Sequence, residues 1–350
     1  MRLSAICFLG AAALAPILQA QAPVREIDYS AINPLKLPEH LYLGEVAGVA
    51  TDSKGNIFIY TRTGTTVAAF GGSRTFTRGG SRLFEFASSG KFLREIGQGL
   101  YGFVFAQGVR IDPQDNIWVV DAGSNSIIKF NPEGRVLMLL GRKQESVNVP
   151  SEGGEIAFPR ITGPQGSGVE GDNFNHPADV AFDASGNIFV ADGTVNSRVA
   201  KFDKNGGYLA TWGQTGAAPG QFNTPRSIAV DKNGDVYVAD VNNHRIQVFD
   251  NNGKFKMQYT GMGAPAALCI SPGAHQYLYS SDSNPSGTLD HGEIYQMELD
   301  GNIVGKFGRA GTQPKEFGMV NAIDCRNPTE LFVGELANWR IQKVALHAKQ

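Results

Sequence analysis

One short unit recurs along the chain and constrains the fold more than any other feature. It consists of an apolar strand, an Asp, a turn rich in Gly, Asn or Asp, and a second apolar strand that often ends in another Asp. Asp or Asn followed closely by Gly between apolar runs predicts a β-hairpin. Six copies can be aligned, the last two divergent: Asp52–Tyr60, Asp112–Asp121, Asp183–Asp192, Asp231–Asp240, Ser271–Asp282 and Asp324–Glu335.

A second half completes each unit with a polar loop, a third strand such as Arg245–Phe249, a turn such as Asn251–Gly253 and a fourth strand. The strands are continuous apolar runs, as in Ile117–Val120, which is typical of sheets that are covered on both faces. Six such units predict an all-β fold, a six-bladed β-propeller of four-stranded antiparallel blades. The 42% hydrophobic content is sufficient for its core.

The sixth unit lacks a fourth strand of its own, because few residues follow Arg340–Leu346. The unassigned run with strand character is Val24–Tyr29, so we predict that it pairs beside Arg340–Leu346 and closes the ring. Such pairing would hide an exposed sheet edge. Residues 23–346 then form a single domain, followed by a tail at residues 347–350.

Residues 1–22 are predicted to be a secretory leader, with Arg2 before an apolar run and small residues at Ala20 and Ala22, after either of which cleavage is expected. We therefore expect an exported protein, periplasmic or secreted, without a membrane span. The formal charge of −2 gives no basic surface for nucleic acid. Beyond the leader, Cys269 and Cys325 lie in predicted buried strands. Two free thiols are the preferred interpretation, with a disulfide left open.

Three Gly-, Ser- and Pro-rich insertions interrupt the period: Thr63–Ser81, Arg142–Asn175 and Ser281–Gly292. Two follow a second strand and one follows a fourth strand, so all three should emerge on the same face of the ring. We call this face the mouth. Long loops on a rigid scaffold commonly carry function.

The innermost strand of each blade begins at the mouth, beside the central channel. Blades 2, 4 and 6 have a large polar residue at its first channel position, namely Gln107, Arg226 and Asn321, whereas blades 1, 3 and 5 have Ala. These polar side chains either hydrate the channel or form a ligand site. Asp179, Glu152 and Glu155 are the internal carboxylates expected to pair with Arg226; without them, a ligand anion would be its complement.

Three segments carry a more specific resemblance: Phe174–Phe182, Ala191–Arg198 and Gly220–Ile228. From about residue 52 to residue 344 the chain resembles the NHL-repeat propellers related to peptidyl-α-hydroxyglycine α-amidating lyase. That family holds zinc with three histidines from alternate blades. The matching positions here are Gln107, Arg226 and Asn321, so the resemblance implies the scaffold without its zinc ligands.

The other family positions are substituted as well. The catalytic tyrosine corresponds to Thr194, an arginine to Val241, and an acidic residue tied to a structural calcium to Ala322. One arginine, Arg62 at the end of the first blade's second strand, matches. The resemblance therefore disfavours the lyase reaction and predicts no cofactor, no metal ion and no catalytic residue.

Three classes of function remain. The leading interpretation is a non-enzymatic binding propeller that recognises a small anionic ligand, a peptide or a protein at the mouth through Gln107, Arg226, Asn321 and Arg62. The alternatives are a lyase, a lactonase or another hydrolase on a six-bladed propeller, and a structural protein-interaction module. The repeated Asn-x-Arg motif at Asn243–Arg245 is interpreted as scaffolding.

Overall fold

The computed structural model describes residues 23–63, 67–70, 74–77, 80–141, 170–193, 196–283 and 292–347. The predicted leader and parts of each of the three insertions lie outside these residues. Within the described part, regular structure is β-strand apart from one 3₁₀ turn at Val241–Asn243. No helix there is long and apolar enough to cross a membrane.

The strands of the described residues are β1 (Tyr29–Ile32), β2 (Glu45–Thr51), β3 (Ile57–Arg62), β4 (Val67–Phe70), β5 (Arg74–Thr77), β6 (Ser81–Phe86), β7 (Phe92–Ile96), β8 (Ala106–Ile111), β9 (Ile117–Asp121), β10 (Ser126–Phe130), β11 (Val136–Gly141), β12 (Pro177–Phe182), β13 (Ile188–Asp192), β14 (Arg198–Phe202), β15 (Tyr208–Trp212), β16 (Pro225–Val230), β17 (Val236–Asp240), β18 (Arg245–Phe249), β19 (Phe255–Tyr259), β20 (Pro265–Ile270), β21 (Tyr277–Asp282), β22 (Glu293–Glu298), β23 (Ile303–Phe307), β24 (Val320–Asn327), β25 (Glu330–Glu335) and β26 (Arg340–Leu346).

These strands form six four-stranded antiparallel sheets, which confirms the predicted six-bladed propeller. Blades 1 to 5 are β2-β3-β6-β7, β8 to β11, β12 to β15, β16 to β19 and β20 to β23, and blade 6 is β24-β25-β26-β1. The innermost strands β2, β8, β12, β16, β20 and β24 each contact the next, and β24 contacts β2. The ring is therefore closed around a central channel.

The recurring Asp shapes the hairpin between the first two strands of a blade. One carboxylate oxygen of Asp183 accepts the backbone N–H groups of Ser185 and Asn187, both at 2.9 Å. Asp52, Asp112 and Asp231 make the equivalent pair of bonds. In this Asx turn the Asp carboxylate accepts hydrogen bonds from turn N–H groups that have no backbone acceptor. The position of the Asp therefore determines where each hairpin reverses.

The Asn-x-Arg motif ties blades 3, 4 and 6 to the loops that lead into them. Arg245 donates from Nε to Asp240 at 2.8 Å and from its terminal nitrogens to the carbonyl oxygens of Ala217, Ala218 and Gln221. Blades 3 and 6 repeat the arrangement around Arg198 with Asp192 and Arg340 with Glu335. Because the same contacts recur in step with the fold, the motif is scaffolding.

The N-terminal segment closes the ring, as predicted, but the residues that pair lie further along the chain than the predicted Val24–Tyr29. The pairing strand is β1, with Tyr29 opposite Leu346, rather than Val24–Tyr29. The residues before it run parallel to β23, where Ile27 donates to the Lys306 carbonyl and Lys306 donates to the Arg25 carbonyl. Tertiary packing determines which residues pair, because the Tyr29 ring packs against one aromatic ring on β23 and another in the loop that follows β23.

Cys269 and Cys325 form a disulfide, so the preferred prediction of two free thiols is wrong. They lie on β20 and β24, the innermost strands of adjacent blades, with Cα atoms 5.9 Å apart. That separation is within the range that a disulfide requires. The bond joins blades 5 and 6, the same two blades that the N-terminal segment connects.

We predict that deletion of residues 23–32 exposes the outer edge of β26 and the side of β23. Unpaired strand edges template association between chains, so the truncated protein should sediment as oligomers or aggregates while the intact domain does not. Deletion of residues 348–350, which follow the paired strand, is the matched control. A truncated chain that stays monomeric and equally stable would contradict this role.

We predict that losing the disulfide lowers the free energy of unfolding by about 4 kcal/mol, the chain-entropy value for a loop of this length. The loop closed by the bond spans a sequence separation of 56 residues. Chemical denaturation of the Cys269→Ser, Cys325→Ser double variant should show this loss. Reductant should destabilise the parent protein by a similar amount and leave the double variant unchanged.

Candidate functional site

A cavity of about 330 Å³ opens at the mouth of the channel. Its lining includes three of the four predicted site residues, Arg62, Gln107 and Arg226, and the fourth, Asn321, is hydrogen-bonded to Arg226. The structure therefore brings together all four. The other lining residues are Phe105, Ala122, His176, Ala178, Thr224, Pro225, Met319 and Leu336.

A β-bulge directs each polar side chain into the mouth. In every innermost strand the pairing register shifts at the first channel position, for example between Ala106 and Gly108 and between Pro225 and Ser227. A bulge leaves an extra residue outside the ladder and re-aims its side chain. Gln107, Arg226 and Asn321 are such residues, so the backbone irregularity that the blades share builds the site.

Arg62 reaches the cavity from the end of β3. Its guanidinium donates to the Ala106 carbonyl at 2.7 Å, to Gln107 Oε1 at 2.9 Å and to Glu45 at 3.0 Å, and it stacks 3.8 Å from the ring centre of Phe105. Burial lowers the pKa of Arg62, and Glu45 opposes that effect. Arg62 is thus a fixed cation that has one carboxylate partner.

Arg226 is a cation without a carboxylate partner among the described residues. Its Nε donates to Asn321 Oδ1 at 3.0 Å, and a second nitrogen donates to the same oxygen. Asn321 in turn donates to the carbonyl oxygens of Ala47 and Gln107. Burial, together with the charge of Arg62, lowers the pKa of Arg226 to about 10. The group remains charged at neutral pH but is poorly compensated.

Asp179 does not pair with Arg226, contrary to one expectation. It holds Arg110 instead, through two hydrogen bonds of 2.9 and 2.6 Å, and it also accepts from Ser227. Arg110 lies deeper on the channel axis, one layer below the mouth. Glu152 and Glu155, the other expected partners, are outside the described residues.

Sequence reasoning missed Arg110. Its guanidinium donates to the Ile323 and Leu268 carbonyl oxygens as well as to Asp179 and Ser227, so it contacts strands of four other blades. Burial alone would lower the pKa of Arg110, but Asp179 raises it above its ordinary value. A signal existed, because Arg110 follows Gln107 by three residues on the same innermost strand, past the bulge.

His176 is a further lining residue that precedes β12. Its backbone has φ of 57°, and its N–H donates to Asn125 Oδ1 at 2.9 Å. Burial lowers the pKa of the His176 imidazole, and Asp192 opposes this. The ring is therefore neutral at pH 7 and adds a polar but uncharged wall to the cavity.

The donor set at the mouth does not fit a zinc or calcium ion. The three positions that correspond to the family's zinc ligands have two amides and a guanidinium, and the guanidinium of Arg226 bonds directly to Asn321 Oδ1. A cation there would face the charges of Arg226 and Arg62, and amide oxygens are weak zinc ligands. Within the described residues no group of three His, Cys, Asp or Glu side chains could hold a metal.

Sequence comparison matches the NHL repeat at residues 174–202 and 222–249. The peptidylglycine α-amidating monooxygenase of Rattus norvegicus is 30% identical over 334 residues, covering 89% of this chain and 31% of the rat protein. The probable peptidyl-α-hydroxyglycine α-amidating lyase of Caenorhabditis elegans is 31% identical over 176 residues, covering 48% of this chain and 44% of the worm protein. The matches thus span less than half of the length of these relatives.

A solved gluconolactonase from Xanthomonas campestris has a similar fold, with a TM-score of 0.55 and 14% sequence identity. The similarity covers 94% of this chain and 99% of the gluconolactonase. At this identity the comparison supports the propeller architecture and nothing about activity.

We predict that Asp179→Asn lowers the free energy of unfolding by about 3 kcal/mol, because it leaves the largely buried Arg110 without a countercharge. Chemical denaturation measures the change. Glu330→Gln is the matched control, since it breaks a partly exposed ion pair with Lys343 and should cost less than about 1 kcal/mol. Equal effects of the two substitutions would show that Arg110 does not depend on Asp179.

Proposed function

Because the chain is an NHL-repeat six-bladed β-propeller related to peptidyl-α-hydroxyglycine α-amidating lyase, we propose that it is a binding protein for a small organic anion. The observation that carries the proposal is Arg226, a guanidinium on the mouth cavity that has no carboxylate partner among the described residues. Arg226 is half-buried, and a cation that is withdrawn from water without a countercharge is costly. An anionic ligand supplies the missing partner.

A carboxylate is the anion that this site suits best. A guanidinium presents parallel N–H groups that match the two oxygens of a carboxylate. Arg62 adds a second positive charge, while Gln107 and Asn321 fix the orientation of the guanidinium groups. The apolar walls from Phe105, among others, favour a ligand with an apolar body.

Binding rather than catalysis is the activity we propose, since the residues at the family's zinc positions offer no fit for the metal. We further propose that the protein acts outside the cytoplasm. The leader predicted at residues 1–22 supports export, and the Cys269–Cys325 disulfide is the kind of bond that persists in an oxidising compartment.

The test is the affinity for a panel of small carboxylates, measured by calorimetry and by thermal shift at fixed ionic strength. Arg226→Ala should weaken binding about tenfold to a hundredfold, as expected for a charge-assisted hydrogen bond of about 1.5–3 kcal/mol. The variant should remain folded, because Arg226 donates to Asn321 alone among the described side chains. Arg226→Lys should retain part of the affinity.

Arg309→Ala is the matched control, because Arg309 is an exposed arginine paired with Glu316 and does not line the mouth cavity. It should leave the affinity unchanged. Equal binding of every carboxylate by the parent protein and by Arg226→Ala would refute the proposal. Stoichiometric zinc or calcium in the purified protein, with binding lost on chelation, would favour an enzyme instead.

A further inference from the structure

A second cleft opens on the face opposite the mouth, between blades 2 and 3. It measures about 450 Å³ and is lined by hairpins of both blades. The buried Trp118 and the half-buried Phe182 pack at a ring-centre distance of 4.9 Å. Lys129 and Asp112 line the blade 2 side, and Lys204 lies on the blade 3 side. No hydrogen bond links the lining residues of the two blades among the described residues.

The equivalent place between blades 3 and 4 is filled by the chain itself. Asn251, at the second position of the hairpin between β18 and β19, accepts from Lys201 Nζ at its backbone oxygen (2.9 Å) and its side-chain oxygen (2.6 Å). Its Nδ2 donates to Asp183 at 3.1 Å and to the Gly234 carbonyl at 3.2 Å. One asparagine thus satisfies an ammonium group, a carboxylate and a carbonyl.

The repeat gives the counterpart of each of these groups in the open cleft. Lys129 corresponds to Lys201, and Asp112 to Asp183. Gly186 corresponds to Gly234, and Lys204 corresponds to Asn251. Gly186 lies close to Lys204, just as Gly234 lies close to Asn251. The cleft therefore has the surroundings of Asn251 without the asparagine.

The lysine at this position explains why the cleft stays open. An ammonium group of Lys204 directed inward would meet the ammonium of Lys129, and the two charges repel. The Lys204 side chain is exposed and makes no hydrogen bond or ion pair with other described residues. Lys129 lies above the Trp118 ring at 4.8 Å and 3.4 Å from Asp112, a separation longer than a hydrogen bond.

We propose that this cleft binds an asparagine side chain presented on a turn of a partner peptide. The amide oxygen would accept from Lys129, and the amide nitrogen would donate to the Gly186 carbonyl, as Asn251 does one blade further on. The volume also accommodates the flanking peptide groups. The site is distinct from the mouth and does not depend on the function proposed there.

The neighbouring groups favour an amide over a carboxylate. Asp112 and Asp183 both line the cleft and offset the charges of Lys129 and Lys204, so the cleft has no net positive charge that would favour an acidic side chain. The Gly186 carbonyl can accept a hydrogen bond from an amide nitrogen but not from a carboxylate, which has no donor. An asparagine and an aspartate of nearly equal shape therefore discriminate between an amide site and a general anion site.

The experiment is a titration of the protein with N-acetyl-Gly-Asn-Gly-N-methylamide and with its Asp analogue, followed by the indole N–H resonances. Trp118 should shift on addition of the Asn peptide, whereas the exposed Trp339 should not. Lys129→Met should weaken binding about tenfold through loss of a charged donor. Lys204→Asn should fill the cleft from within, abolish binding and raise the melting temperature.

Lys204→Ala is the matched control, because it removes the lysine without supplying an amide and should still bind the peptide. Arg226→Ala should also bind it normally, which separates this site from the mouth. The proposal is overturned if saturating Asn peptide leaves Trp118 unmoved, if the Asp peptide binds as tightly, or if Lys204→Asn binds like the parent protein.

Discussion

The ring depends on a charge placed on its own axis. Arg110 belongs to blade 2, yet its guanidinium donates to groups on blades 3, 4, 5 and 6. A propeller has no continuous core at its centre, because the innermost strands only touch edge to edge around a channel. A planar cation with five donors can satisfy several strand carbonyls at once. Asp179 offsets the cost of taking this cation out of water, since it supplies the countercharge at hydrogen-bonding distance.

That pairing also defines what the mouth can do. Asp179 is committed to the lower layer, so it leaves Arg226 in the upper layer with a neutral amide as its partner. Among the described residues, the deeper arginine of the channel therefore has a carboxylate partner, whereas Arg226 at the mouth has none. The same bulge that turns Arg226 towards the cavity is present in each blade, so the site arises from the scaffold's regular geometry combined with three non-alanine residues. A related scaffold with other residues at these bulges would have different chemistry.

The blades could be predicted from sequence because the information is local: an Asp and a Gly at fixed spacing specify each hairpin, and the hairpins repeat. The convergence of Gln107, Arg226 and Asn321 followed from their equivalent positions. The partner of Arg226 could not be predicted from sequence. Asp179 pairs with Arg110 rather than with Arg226 because of how deep each side chain lies in the channel, and the repeat pattern does not give that depth. The closing strand was displaced because its register is set by packing on blade 5. The spacing of Cys269 and Cys325 is compatible with their bond, since the two cysteines lie about one repeat apart on innermost strands.

The antiparallel pairing of β1 with β26 has a consequence for the order of assembly. Tyr29 lies opposite Leu346, so the first strand of the ring waits for the last one to be synthesised. Blades 1 to 5 can form their hairpins from neighbouring residues as the chain emerges, whereas closure joins positions more than 300 residues apart. Contacts of such long sequence separation form slowly. A chain that is still being synthesised therefore has an unpaired strand edge at β1. The ring can close only after β26 has been made.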